Sequence, residues 1–156
     1  MASDAHAVLA GSAGAETPTR EARLRRGVRR LLAEMGYGTL SEFRLTTGRR
    51  VDVIGLNGEA EFVIVEIKTS LEDFRGDRKW REYLPFCERF YFAVPDGFPD
   101  AVLPGECGVI VADAYGGAVC REPCVIPVNA ARKRRQIVRF ALAASTRLQR
   151  AFDPGT

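Results

Sequence analysis

A chain of 156 residues is long enough for one domain with a core of its own, and 46% hydrophobic against 28% charged content is that of an ordinary globular protein. No apolar run approaches the roughly 20 residues of a membrane span, so association with a membrane is not expected. The net charge is only +3, yet the cations gather in two stretches, one from Arg20 to Arg30 and one from Arg132 to Arg150.

The first 18 residues are rich in Ala, Gly, Ser and Thr, carry the single histidine (His6) and lack the regions of a signal peptide. They are expected to be a flexible tail. Leu24, Val28, Leu31, Leu32 and Met35 then follow helical spacing, predicting a helix over 19–36 with Thr19 as N-cap and Gly36 as stop. Three strands are predicted over 39–45, 50–56 and 61–68, joined by turns at 46–49 and at Asn57-Gly58. A polar stretch, LEDFRGDRK, leads into a short helix over 77–87 whose end is loosened by Pro85. Strands over 89–94 and 108–113 flank a proline-bearing loop, and a hairpin piece is placed within 118–128. A long helix over 130–152, with Ile137, Phe140, Ala141, Ala144 and Leu148 inward, precedes a short tail at 153–156. This order predicts one α/β domain over 19–152, a mixed central sheet flanked by helices.

The third strand, FVIVEIK, is apolar until Glu66 and Lys68 interrupt it. Buried charges cost several kcal/mol unless compensated, so these two need partners. Asp52 lies fourteen residues before Glu66, on the preceding strand. A two-residue turn at Asn57-Gly58 would put Asp52 and Glu66 on opposite faces; a three-residue loop or a bulge would put them diagonally on one face. The shared face is the expectation. Two carboxylates there repel each other unless a divalent cation relieves them, and Mg²⁺ takes such oxygen ligands while keeping several waters. The backbone carbonyl of Ile67 is a further candidate ligand, and Lys68 is placed to serve the attacking water or the transition state. The bland alternative is a Glu66–Lys68 or Asp52–Arg50 ion pair.

Asp52 followed by Glu66-Ile67-Lys68 at the end of an apolar strand resembles the signature of the PD-(D/E)xK nucleases, with Val51 in place of the proline. The block from GRRVDVIGLNGEAEF to CERFYFAVP is similar to the MmcB-type DNA-repair proteins, and the resemblance runs from about Arg20 to Leu148. It implies a restriction-endonuclease-like core and cleavage of DNA with Mg²⁺ or Mn²⁺ in repair. Catalytic roles fall to Asp52, Glu66 and Lys68, and metal ligation to Asp52, Glu66 and Ile67. Such nucleases often carry one more acid, for which Glu42 is chosen ahead of Glu34. The superfamily also holds members that bind DNA without cutting it, so an inactive binding or scaffold module is the rival reading.

Expected contacts to DNA are Arg26 and Arg30 on the first helix, Lys79 and Tyr83 on the short one, and Arg132, Lys133, Arg134 and Arg135 on the last. Such clusters suit a polyanion because each cation that neutralises a phosphate releases condensed counterions. Trp80 and Phe90 to Phe92 are expected in the core. Of the four cysteines, Cys120 and Cys124 would need two remote ligands to hold zinc. Reduced thiols in a cytoplasmic, nucleoid-associated protein are the simpler expectation, with a repair protein as a plausible targeting partner.

Overall fold

The computed structural model describes residues 16–155; the predicted tail over 1–18 lies mostly outside them. Helix α1 (Arg20–Glu34) is followed by β1 (Gly38–Arg44), β2 (Arg50–Leu56), β3 (Phe62–Ile67), α2 (Leu71–Gly76), a 3-10 helix (Trp80–Phe86) and β4 (Arg89–Val94). Then come a short 3-10 turn (Asp100–Val102), β5 (Gly108–Ala112), β6 (Gly117–Arg121) and α3 (Ala130–Phe152). The six strands form one sheet in chain order. The meander β1–β2–β3 is antiparallel, β3, β4 and β5 are parallel, and β6 returns antiparallel to β5. This is the mixed α/β sheet with a long C-terminal helix that the residue patterns predict.

Alternation along β3 divides the core. Val63, Val65 and Ile67 face α1, where Leu24, Val28 and Leu32 pack. Phe62 and Ile64 face the 3-10 helix and α3, against Trp80, Phe86, Phe90, Phe92 and the half-buried Phe140. Every residue of β3 is buried, so the strand is central. Trp80 is a core residue, packed edge-on to Phe92 at 5.5 Å between ring centroids. Gly27 lets α1 seat directly on the turn after β5, because a Cβ there would lie 1.9 Å from the Asp113 carbonyl oxygen.

Three local expectations need correction. The polar stretch expected only to lead into the short helix itself contains α2, capped by Ser70, whose hydroxyl accepts from the Asp73 amide at 3.1 Å. The helix expected over 77–87 is a 3-10 helix, which accommodates Pro85 without breaking an α-helical ladder. In α3 the inner face is made by Gln136, Ile137, Phe140, Ala143 and Ala144, while Ala141 and Leu148 are exposed. Past Ala144 the helix leaves the core and runs by the edge strand β1, where Arg147 donates to the carbonyls of Ser41 and Glu42 at 2.6 and 3.2 Å. Among the cysteines, Cys87 and Cys107 are buried and Cys120 and Cys124 exposed, all as free thiols.

Candidate functional site

The connection between β2 and β3 is longer than either loop expected. Leu56 pairs with Phe62, so residues 57–61 form the loop. Asn57 organises it: its side-chain oxygen accepts from the amides of Glu59 and Glu61, and Ala60 takes a positive φ of 61°. The register that follows pairs Val53 with Val65 and places Asp52 directly opposite Glu66, not diagonally. Cross-strand partners share a face, so the two carboxylates converge as expected, by a different register.

The backbone ladder stops at that point, and the side chains take over. Glu66 accepts from the Asp52 amide at 2.9 Å, and Asp52 accepts from the Ile67 amide at 2.8 Å. Each carboxylate thus bridges to the opposite strand. Glu66 is buried and Asp52 partly so. Burial, and after it the Asp52 charge, pushes the Glu66 carboxyl up to about 9; burial likewise raises that of Asp52. Burial and mutual repulsion thus favour one proton shared by the pair over two bare carboxylates.

Lys68 extends from the strand end beside them. Its ammonium is 2.8 Å from Asp77 and 3.9 Å from Asp73, both supplied by the segment around α2. Burial works to lower the Lys68 pKa, but the hydrogen bond and charge of Asp77, with Asp73 and Glu66, outweigh it and hold it above the ordinary value. The partner of Lys68 is thus Asp77, not Glu66. Tyr83 completes the floor: burial, then the charges of Glu66, Asp77 and Asp52, raise its hydroxyl to about 12. Tyr83 and Lys79 line one cleft with Lys68, Asp73 and Asp77. Lys79 precedes the 3-10 helix rather than sharing an α-helical face with Tyr83.

Two acids frame the Asp52 side. Glu42 lies in β1 between Ser41, opposite Val53, and Phe43, opposite Val51, which puts it across from Asp52. Its backbone is kinked, with φ of 51°, and its carboxylate is 3.7 Å from Arg25 on α1. Arg25 also binds Glu21 at 2.7 Å, and the charges of both Glu21 and Arg25 act on Asp52. Glu21 is the acid that sequence reasoning missed. Its proximity depends on how α1 lies across the sheet, which no local pattern encodes. Glu34, at the far end of α1, is exposed. Among the described residues no three His, Cys, Asp or Glu side chains gather to hold an ion by themselves. One or two carboxylates with water and substrate phosphate are, however, the usual protein share of an Mg²⁺ site. Asp52 and Glu66, with the Ile67 carbonyl between Glu66 and Lys68, fit that share.

The basic clusters lie on opposite faces of the sheet. Arg26 and Arg30 are exposed on α1, with Arg30 donating to the Tyr115 carbonyl at 3.2 Å. Arg132, Arg134 and Arg135 are exposed on the first turns of α3. Lys133 differs: its ammonium is paired with Glu88, whose side chain is 4% exposed and also accepts from the Phe62 amide at 2.6 Å. Lys133→Ala is accordingly expected to destabilise the fold by about 3–5 kcal/mol, since it strands a buried carboxylate. Arg134→Ala should leave stability within about 0.5 kcal/mol. Thermal denaturation of the two variants distinguishes them, and equal melting temperatures would refute the structural role of Lys133.

A family model described as DNA repair protein MmcB-like matches residues 10–155. A protein of unknown function from Silicibacter pomeroyi is 39% identical, with a TM-score of 0.85 over 89% of this chain and 96% of its own. A repair endonuclease from Pyrococcus abyssi matches over 52% of this chain and 40% of its own, at 18% identity and a TM-score of 0.37, a likeness too slight to bear on function. No curated protein matches. The chain, matched by the family model over nearly its whole length, belongs to the MmcB-like family of DNA repair proteins.

Proposed function

We propose that this protein hydrolyses phosphodiester bonds of DNA, using Mg²⁺ or Mn²⁺ held by Asp52, Glu66 and the Ile67 carbonyl. The observation that carries the reading is the meeting of Asp52 and Glu66 where the β2–β3 ladder ends, with the ammonium of Lys68 beside them. Burying two facing carboxylates is costly, and membership of a DNA repair family supplies the context in which that cost has a use. The arrangement also matches what the resemblance to PD-(D/E)xK nucleases implies.

A divalent cation held by Asp52, Glu66 and the Ile67 carbonyl would supply positive charge to the phosphate as negative charge develops in the transition state. Asp52 and Glu66 would fix its place, each carboxylate being anchored to the opposite strand. Lys68, aimed by Asp77, donates hydrogen bonds to the attacking water or to the phosphate oxygens. Water adds to phosphorus, the P–O bond to the leaving sugar breaks, and a phosphate and a hydroxyl result. Glu21 and Arg25 set the field at Asp52, and Glu21 and Glu42, both paired with Arg25, are the remaining candidate acids. Arg26 and Arg30 on one face, and Arg132, Arg134 and Arg135 on the other, neutralise backbone phosphates to either side. Phosphate contacts position a duplex without reading its sequence, which fits selection by DNA structure. A cytoplasmic, nucleoid-associated protein recruited by another repair protein is the setting that this reading implies.

The test is incubation of the purified protein with flapped, nicked, branched and single-stranded DNA in Mg²⁺, Mn²⁺ or EDTA. Cleavage that disappears in EDTA is the expected result. Salt-sensitive binding with no cleavage of any substrate would sink the proposal in favour of a non-cutting DNA-binding module. Absence of binding would leave only a domain whose acids form a salt-bridge network.

A further inference from the structure

The sheet edge that carries Asp52, Glu66 and Lys68 continues past them. Because β3, β4 and β5 are parallel, their C-terminal ends emerge together, leading into Lys68, Pro95 and Asp113. An open cleft of about 390 Å³ lies there, between the first turns of α1 and the loops after β4 and β5. Its wall includes Arg20, Arg23, Asp96, Asp113 and Tyr115. The first turns of α1 serve both places, since the charges of Glu21 and Arg25 act on Asp52 while Arg20 and Arg23 line the cleft. Two inter-strand spacings, about 10 Å, separate β3 from β5.

Tyr115 is unusual for a large aromatic side chain, being 78% exposed on a backbone that is firmly held. The Asp113 carboxylate accepts from the amides of Tyr115 and Gly116 at 2.8 and 3.1 Å. The Asp113 amide closes the turn on the Gly116 carbonyl at 2.9 Å, and Arg30 holds the Tyr115 carbonyl from α1. Gly27 lets the helix press on the same turn without a Cβ between. A rigid platform binds with less loss of conformational freedom than a mobile one.

We propose that this cleft takes one unpaired nucleotide of a DNA strand, its base stacked on Tyr115 and its flanking phosphates met by Arg20 and Arg23. The proposal rests on the DNA-cleaving reading and deepens it. Every base has a π-face, so stacking on an aromatic side chain is tolerant of sequence. Inside a duplex those faces are covered, so the cleft admits only a base out of the stack. Asp96 on the wall disfavours a phosphate deep in the cleft, while its carboxylate can accept from the exocyclic amino group of a base. Selection by DNA structure then has a physical seat beside the cutting site.

The test uses the full chain with Ca²⁺ in place of Mg²⁺, an intact duplex, and the same duplex with a single-stranded flap bearing 2-aminopurine at the first unpaired position. Tyr115→Ala is expected to weaken flap binding about 10-fold, from the loss of one stacking contact, with duplex affinity and melting temperature unchanged. Tyr115→Phe should keep the flap preference and the quenching of 2-aminopurine that Tyr115→Ala loses. Wild-type flap affinity in Tyr115→Ala, or equal losses on flap and duplex, would overturn the cleft while leaving the nuclease reading standing. Failure of the wild-type chain to bind any of these DNAs would overturn both.

Discussion

Lys68→Ala is expected to lose DNA cleavage by about 10²–10³-fold or more, the usual scale for removing one preorganised electrostatic donor, while still binding Mn²⁺. The two effects separate because the carboxylates hold the cation, whereas the ammonium acts on the reacting water or phosphate. Affinity for Mn²⁺ should stay level or rise, since a positive charge beside Glu66 has gone. Asp52→Asn is expected to lose cation binding and cleavage together. Lys68→Arg should not rescue turnover, because a planar guanidinium cannot replace a compact ammonium held by Asp77. Lys68→Ala also strands Asp77, whose side chain is 11% exposed, so some stability will be lost. The double variant Lys68→Ala with Asp77→Asn removes both charges and should recover melting temperature without recovering cleavage. Cleavage in Lys68→Ala at wild-type rate would contradict the assigned role.

The second large effect concerns pH. In the cation-free fold the Glu66 carboxyl is raised to about 9 from an ordinary value of 4.5, and Asp52 is raised in the same sense. The folded state therefore binds protons that the unfolded state has released. Stability from this source is complete below the unfolded value of 4.5 and drains away as pH climbs towards about 9. The melting temperature of the cation-free protein should fall between pH 6 and pH 9. Glu66→Gln, neutral and of the same shape, should flatten that slope and melt about 5 °C above wild type at pH 9, corresponding to roughly 1–2 kcal/mol. Mn²⁺ or Mg²⁺ should restore the wild-type protein at pH 9 and leave Glu66→Gln unmoved. Cation binding at pH 7 should release a proton, visible as calorimetric heats that change with buffer ionisation enthalpy. A wild-type melting temperature that rises across this window would refute the shared proton.

The legible parts of the structure were those set by local periodicity. The alternation in FVIVEIK marks Glu66 as pointing into a buried face, and the apolar spacing of α1 places Leu24, Val28 and Leu32 on the sheet. The order of strands follows from short connections. What escaped depended on geometry that the chain makes only once folded. Asn57-Gly58 looks like a tight turn, yet Asn57 caps a five-residue loop through its side chain and an alanine takes the left-handed conformation. That changed the register while preserving the shared face. Helix α2 did have a signal, since Ser70 stands three residues before Asp73 in the pattern of a capped N-terminus. Lys133 sits in a run of four cations that reads as one surface, yet only the fold brings Glu88 beneath it. Glu21 and Tyr115 lie far from Asp52 in sequence; α1 crossing the sheet brings Glu21 to its edge, and the turn between β5 and β6 places Tyr115 there.

Cation binding between Asp52 and Glu66 is tested most directly by anomalous diffraction from crystals grown with Mn²⁺ and a short DNA duplex bearing a flap. An anomalous peak is expected within ligand distance of the Asp52 and Glu66 carboxylates and the Ile67 carbonyl, with a DNA phosphate oxygen beside it and the Lys68 ammonium facing that phosphate. Bound DNA with no Mn²⁺ between those carboxylates, or Mn²⁺ at another part of the surface, would contradict it.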